Sequence, residues 1–181
     1  MNKRIKIFIS HSEKDKKYAE ALVNLLTKIG VLSECIFCSS VPPYGVKISK
    51  DFIQDISEQY EKYDLKMVYL LSKNFYNSPV SLNEMGAAWI KGFDYYSILL
   101  PGFDFSDIYG VIDSKAIAIK LDDERLKIQT GLDELKNDIC TFLNISEPVE
   151  WKQARDNCID NMNKVKKDFE RKPAIIMGSP I

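Results

Sequence analysis

Leu65-Lys66-Met67-Val68-Tyr69-Leu70-Leu71 decides the fold. Successive residues of a strand point to opposite faces, so a strand with one wet face alternates apolar and polar. This run is apolar at both parities and breaks the pattern only at Lys66. Such a strand is covered on both sides, which marks the centre of a parallel sheet packed between helices.

Nearer the N-terminus, Ile5–Ile9 is a shorter apolar run that fits a first strand. Ser12, ahead of Glu13 and Asp15, signals a helix start, and Tyr18, Ala21, Leu22, Leu25, Leu26 and Ile29 recur at helical spacing until Gly30. Cys35–Ser39 reads as a second strand, and Val41-Pro42-Pro43-Tyr44-Gly45 as loop. Ser49 opens a helix with Phe52, Ile53, Ile56 and Tyr60 on one face. After the Leu65 strand come a helix carrying Glu84, a strand at Tyr95–Leu100 closed by Pro101-Gly102, a fifth strand at Ala116–Ile119 and a helix over Asp122–Leu143. This alternation predicts a doubly wound parallel α/β sheet, in which ligands bind beyond the carboxyl ends of the strands. The predicted rim is Ser10–Ser12, Ser39–Val46, Ser72–Glu84 and Pro101–Phe105. A last amphipathic helix spans Pro148–Lys172, before an apolar tail at Ala174–Ile181. The division is therefore one domain over 1–145 and a helical extension over 146–181. The Lys164, Lys166, Lys167, Arg171, Lys172 run, broken by Asp168 and Glu170, reads as a solvated face.

The net charge of −1 supplies no basic field for nucleic acid. No apolar run approaches the roughly 20 residues that span a bilayer, and the start lacks the pattern of a signal peptide, so a cytoplasmic protein with no membrane or nucleic-acid partner is expected. Cys35 and Cys38, three apart on an expected strand, face opposite ways and do not share a metal easily; all four cysteines are expected to be reduced. The single histidine, His11, excludes a multi-histidine metal site, and no glycine-rich phosphate loop is present.

One carboxylate stands out. In Asn77-Ser78-Pro79-Val80-Ser81-Leu82-Asn83-Glu84-Met85-Gly86-Ala87-Ala88-Trp89, the spacing puts Glu84 in the first turn of a helix. Ser81-x-x-Glu84 matches a capping box, in which serine and glutamate satisfy each other's backbone N–H groups. Glu84 also follows the third strand at a ligand position, and Gly86-Ala87-Ala88 leaves space beside it. Cap and catalyst both fit. His11, on the same rim, fits either a hydrogen-bonding role or a ligand contact.

Lys6-Ile7-Phe8-Ile9-Ser10-His11-Ser12 with Asp15, Pro42-Pro43-Tyr44-Gly45 before a helix, and the run from Leu70 to Glu84 resemble the first strand, the BB loop and the third-strand motif of TIR (Toll/interleukin-receptor) domains, of the bacterial stand-alone type. The resemblance covers roughly Lys3 to Leu143 and departs at Val80 and Ser81, where the family commonly has Trp and Cys. It implies a flavodoxin-like five-stranded sheet in the order 2-1-3-4-5. Many members cleave NAD+, and Glu84 corresponds to their catalytic glutamate. NAD+ is then a substrate, not a cofactor, and no metal is implied. By the same resemblance, Phe8, Ser10 and His11 border the substrate beside Ser81. Tyr44 and Lys47 contact adenine and phosphate, from the same protomer or a neighbour.

The chemistry suits a lone carboxylate. Nicotinamide leaves as a neutral ring, the ribose gains oxocarbenium character, and one carboxylate can stabilise that charge. The resemblance thus implies an NAD+ glycohydrolase or ADP-ribosyl cyclase, homo-oligomeric through TIR–TIR contacts, making an ADP-ribose-derived signal for an effector in antiphage defence. The alternatives are a non-enzymatic TIR interaction or adaptor module and a nucleoside deoxyribosyltransferase-like enzyme.

Overall fold

The apolar runs form strands at Arg4–Ser10 (β1), Ile36–Phe37 (β2), Tyr63–Leu71 (β3), Tyr95–Leu99 (β4) and Ala118–Lys120 (β5). Helices run over Lys16–Lys28 (α1), Phe52–Lys62 (α2), Lys73–Tyr76 (α3), Pro79–Lys91 (α4), Arg125–Leu143 (α5) and Trp151–Glu170 (α6). The structure is a computed structural model and describes residues 4–45, 52–113 and 118–171. Lys47, the helix start at Ser49, Ala116 and Ile117 of the expected fifth strand, and the Ala174–Ile181 tail lie outside the described residues.

The five strands pair in parallel in the order β2-β1-β3-β4-β5, a flavodoxin-like α/β sheet. β1 lies against β3 along its whole length, from Arg4 opposite Tyr63 to Ser10 opposite Tyr69. The chain order reverses between these two strands, where crevices form in such sheets.

The pleat of β3 divides the core. Val68 and Leu70 join Ile7, Ile9 and Ile98 under α1, α5 and α6. Met67, Tyr69 and Leu71 join Phe8 and Leu99 under α2, α3 and α4. Lys66, the polar residue in the apolar run, is buried on the α5 side. Its ammonium pairs with Asp138 and lies 5.1 Å from the Phe142 ring centroid. A buried cation needs such partners.

Two expectations are corrected. The second strand is shorter than Cys35–Ser39, because Ser33–Cys35 closes a 3-10 turn and the Cys38 carbonyl accepts from Val41 N–H in the following loop. The first helix begins later than Ser12, after a 3-10 turn over Glu13–Asp15. Asp15 is buried and its carboxylate accepts from Ser72 Oγ at 2.5 Å and Asn74 Nδ2 at 2.8 Å, which ties the loop after β1 to that after β3.

α6 shares the core of the first 145 residues. Cys158, Ile159 and Met162 pack in the same cluster as Leu22 and Leu25 of α1. Trp151 Nε1 donates to Asp133 at 2.6 Å, and the Arg155 guanidinium holds both oxygens of that carboxylate. Among the described residues, no helix is long and apolar enough to cross a membrane.

Candidate active site

α4 carries Glu84, and its start sets where that side chain points. Ser78 has extended backbone and accepts from Ser81 N–H at 3.3 Å, with Pro79 in the first turn. Proline suits that place, since its ring pre-sets φ and the missing N–H would have no helical partner. Ser78 is therefore the cap, and the Ser81–Glu84 capping box does not form. The helix begins earlier than that motif implies, so Glu84 falls in the second turn and its side chain turns inward to β1.

There Ser10 Oγ donates to Glu84 Oε2 at 2.6 Å. Tyr60 of α2 donates its hydroxyl to the Glu84 carbonyl at 2.9 Å. Ser81 Oγ donates to the His11 carbonyl at 3.3 Å, so α4 is fastened to the end of β1 at two points. Glu84 is 5% exposed, and burial pushes its pKa from 4.5 to about 7 although the Ser10 hydrogen bond pulls the other way. No cation pairs with it among the described residues. Glu84 also lines a mostly apolar cleft of about 500 Å³ between α2 and α4, with Ile56, Tyr60, Val80, Asn83, Ala87 and Lys91 among its walls. That volume is in the range of small-molecule sites.

The other expected site residues divide. Ser10 meets the Glu84 carboxylate, while Ser81, a turn earlier on α4, bonds the His11 carbonyl; both are nearly inaccessible. His11 lies beside them, but its ring serves the loop after β2: Nε2 is 2.5 Å from Ser40 Oγ. Nδ1 is 3.5 Å from the Ile9 carbonyl, which can only accept, so the geometry favours the Nδ1–H tautomer with Ser40 donating to Nε2. Burial lowers the His11 pKa to about 4, so the ring is neutral at pH 7. Phe8 is corrected outright as a substrate contact. It is wholly buried, with ring centroids 4.7 Å from Phe37 and 5.6 Å from Tyr60. Its place is under Tyr60, not in the cleft. Tyr44 is likewise elsewhere, lining a separate hollow with Lys6, Asp55 and Gln59. Lys47 lies outside the described residues.

Sequence reading missed Tyr60 and Ser40. Tyr60 continues the apolar stripe of Ile56, which hides its hydroxyl; a tyrosine in a buried stripe signals that a polar partner waits at its tip. Ser40 falls within the predicted Ser39–Val46 rim, but its bond to His11 carried no signal, since that partner is fixed by how the loop folds back. The predicted rim is also split by the sheet. A second cleft of about 280 Å³, lined by Asp15, Tyr18, Ser72, Asn74, Phe103 and Phe169, opens on the side of α1 and α6, without Glu84.

Gly45 holds the loop after β2 in place. A Cβ there would lie 2.3 Å from the Ser39 carbonyl oxygen, a backbone atom with no rotamer to yield. Gly45→Ala is expected to displace Ser39 and Ser40, to change the His11 imidazole ¹⁵N signals and to lower stability by about 1–3 kcal/mol in thermal unfolding. An unchanged imidazole spectrum would refute the link.

Fold and site together define a flavodoxin-like α/β protein with a buried glutamate, Glu84, fastened to the end of β1. No family model matches the chain. Over 151 residues, 83% of its length, it is 42% identical to the uncharacterized protein YddK of Bacillus subtilis (strain 168). The match covers 54% of YddK, so the chain spans about half the length of this relative.

Proposed function

We propose that this chain is a TIR-type enzyme that cleaves the nicotinamide–ribose bond of NAD+, with Glu84 as the catalytic residue. The observation that carries this reading is the Glu84 carboxylate, buried and unpaired by any cation among the described residues, on a residue that lines a cleft. A negative charge in a site of low dielectric acts strongly on a positive charge that develops beside it. The nicotinamide ring needs no proton to leave. The arriving pyridinium is itself cationic and favours the ionised form of Glu84. Water as nucleophile gives ADP-ribose, an atom of the same molecule gives a cyclic isomer, and another metabolite gives a conjugate. Such a product would serve as a cytoplasmic signal to an effector in antiphage defence.

Incubating the purified protein with NAD+, alone and under crowding or phage trigger, tests the reading. Mass spectrometry is expected to show free nicotinamide with wild type and none with Glu84→Ala. Intact NAD+ in every condition, or free base released from a deoxynucleoside instead, would overturn it.

A second role as an interaction module is favoured by one observation: Trp89 and Ile90 stand exposed side by side on α4. Exposed large apolar pairs suit contact with another copy of the chain. Association measured by light scattering should then weaken in Trp89→Ala and persist in Glu84→Ala.

A further inference from the structure

Ser10 ends β1 with almost no accessible surface, so no substrate atom can rest on its hydroxyl as the chain stands. Its backbone is held in register opposite Tyr69 of β3, in the most extensively paired part of the sheet. A hydroxyl on so fixed a strand end is a good anchor for a side chain arriving from a neighbouring helix. The anchored group is Glu84 Oε2, at 2.6 Å, a distance in the range of a charge-assisted O–H···O⁻ bond. No other side chain is bonded to this carboxylate among the described residues.

We infer that Ser10 is a positioning residue, which holds Oε2 of Glu84 and leaves Oε1 as the oxygen that meets the reacting sugar. The inference rests on the reading of Glu84 as the catalytic carboxylate.

The groups around Glu84 make this hydroxyl decisive. Cys38 faces it from the end of β2, Tyr60 from α2 and Tyr69 from β3, and burial raises all three well above neutrality, Cys38 to about 12. His11, next to Ser10 on the chain, is held neutral by its own burial. Glu61 and Lys91 line the α2–α4 cleft but are exposed. None supplies a contact charge, so the Ser10 hydroxyl is the group that favours the ionised carboxylate. A hydrogen bond to the charged form of an acid lowers its pKa, and losing it raises the pKa.

The test uses Ser10→Ala and Ser10→Thr in two assays. In the first, side-chain carboxyl ¹³C NMR follows Glu84 ionisation without substrate. The midpoint is expected to rise by about one pH unit in the alanine variant, and to stay near wild type with threonine, which keeps the donor. In the second, NAD+ cleavage is expected to lose about tenfold or more in kcat at pH 7 with KM within about twofold. Ser10→Cys, similar in size but a poor donor, carries the same expectations should alanine unfold the chain. A midpoint that does not move, or a raised KM with kcat preserved, overturns the inference; the latter would make the hydroxyl a substrate contact. Should wild type leave NAD+ intact, the cleavage reading falls and the substrate-free titration alone decides the Ser10 assignment.

Discussion

Glu84→Gln is expected to leave NAD+ uncleaved and yet to melt higher than wild type at pH 8. The fold raises the Glu84 pKa from 4.5 to about 7, so an unfolded chain gives up this proton more readily than the folded one. Below pH 4.5 both states are protonated and the full stability is present. As pH rises from about 4.5 to 7 the unfolded state ionises first and folding loses free energy; above about 7 the loss is complete. A gap of about 2.5 pH units at ~1.4 kcal/mol each sets the loss at about 3.5 kcal/mol. Glutamine has the same shape, carries no charge, and its carbonyl still accepts from Ser10. It should therefore recover most of that loss, roughly 5–10 °C in Tm for a chain of this length. The advantage should vanish near pH 4. Thermal unfolding of both proteins at pH 4, 6 and 8 checks this, and equal Tm values at pH 8 would contradict the burial argument. On the proposed reading, the same titration makes wild-type cleavage increase with pH through about 7, because only the ionised carboxylate would stabilise the oxocarbenium charge. Gain of stability on loss of a functional group is the mark of a site that stores unfavourable burial for use.

Phe8→Ala is expected to give the largest loss of stability. The ring is wholly buried between Phe37 and Tyr60, and truncating such a phenylalanine costs about 3–5 kcal/mol. That corresponds to a fall of roughly 10 °C or more. Catalysis should suffer through Tyr60, whose hydroxyl holds the Glu84 carbonyl; a cavity beneath its ring loosens that contact. The expected pattern is a lower kcat with little change in KM. Phe8→Leu should restore most of the stability. Urea unfolding with steady-state kinetics separates this from a substrate contact, for which KM would rise while stability held.

The elements of this fold are written in single stretches. The both-sided apolar run at Leu65–Leu71 carries the central strand, and the alternation around it carries the parallel order. What could not be read lies where backbone hydrogen bonds between near neighbours compete with the pattern. The chain before Ile36 has strand-like residues but closes a turn, because Cys35 N–H finds the Leu32 carbonyl first. The Ser78–Ser81 ambiguity is of the same kind: each serine can cap, and Pro79 tips the choice, a signal present in the sequence but outranked by the more familiar box. Glu84 and Ser10 were both legible as candidates, since each ends a strand or follows one on the rim. Their mutual contact was not, because it spans 74 residues and depends on how α4 rotates over β1. Phe8 shows the complementary failure. It points to the same face as Ser10, two residues on, but lies deeper in the sheet under Tyr60, so depth along the strand and not parity keeps it from the rim.

β2 has one further consequence. It contributes only Ile36 and Phe37 to the sheet, with a 3-10 turn before it and a tightly hydrogen-bonded loop after it. An edge strand this short offers a visiting chain hardly any unpaired N–H and C=O groups in line. On this flank the sheet cannot readily be extended by a strand from outside. Copies of the molecule that assemble here must meet through side chains on helices and loops, which makes such assembly sensitive to surface substitutions and to salt rather than to backbone register.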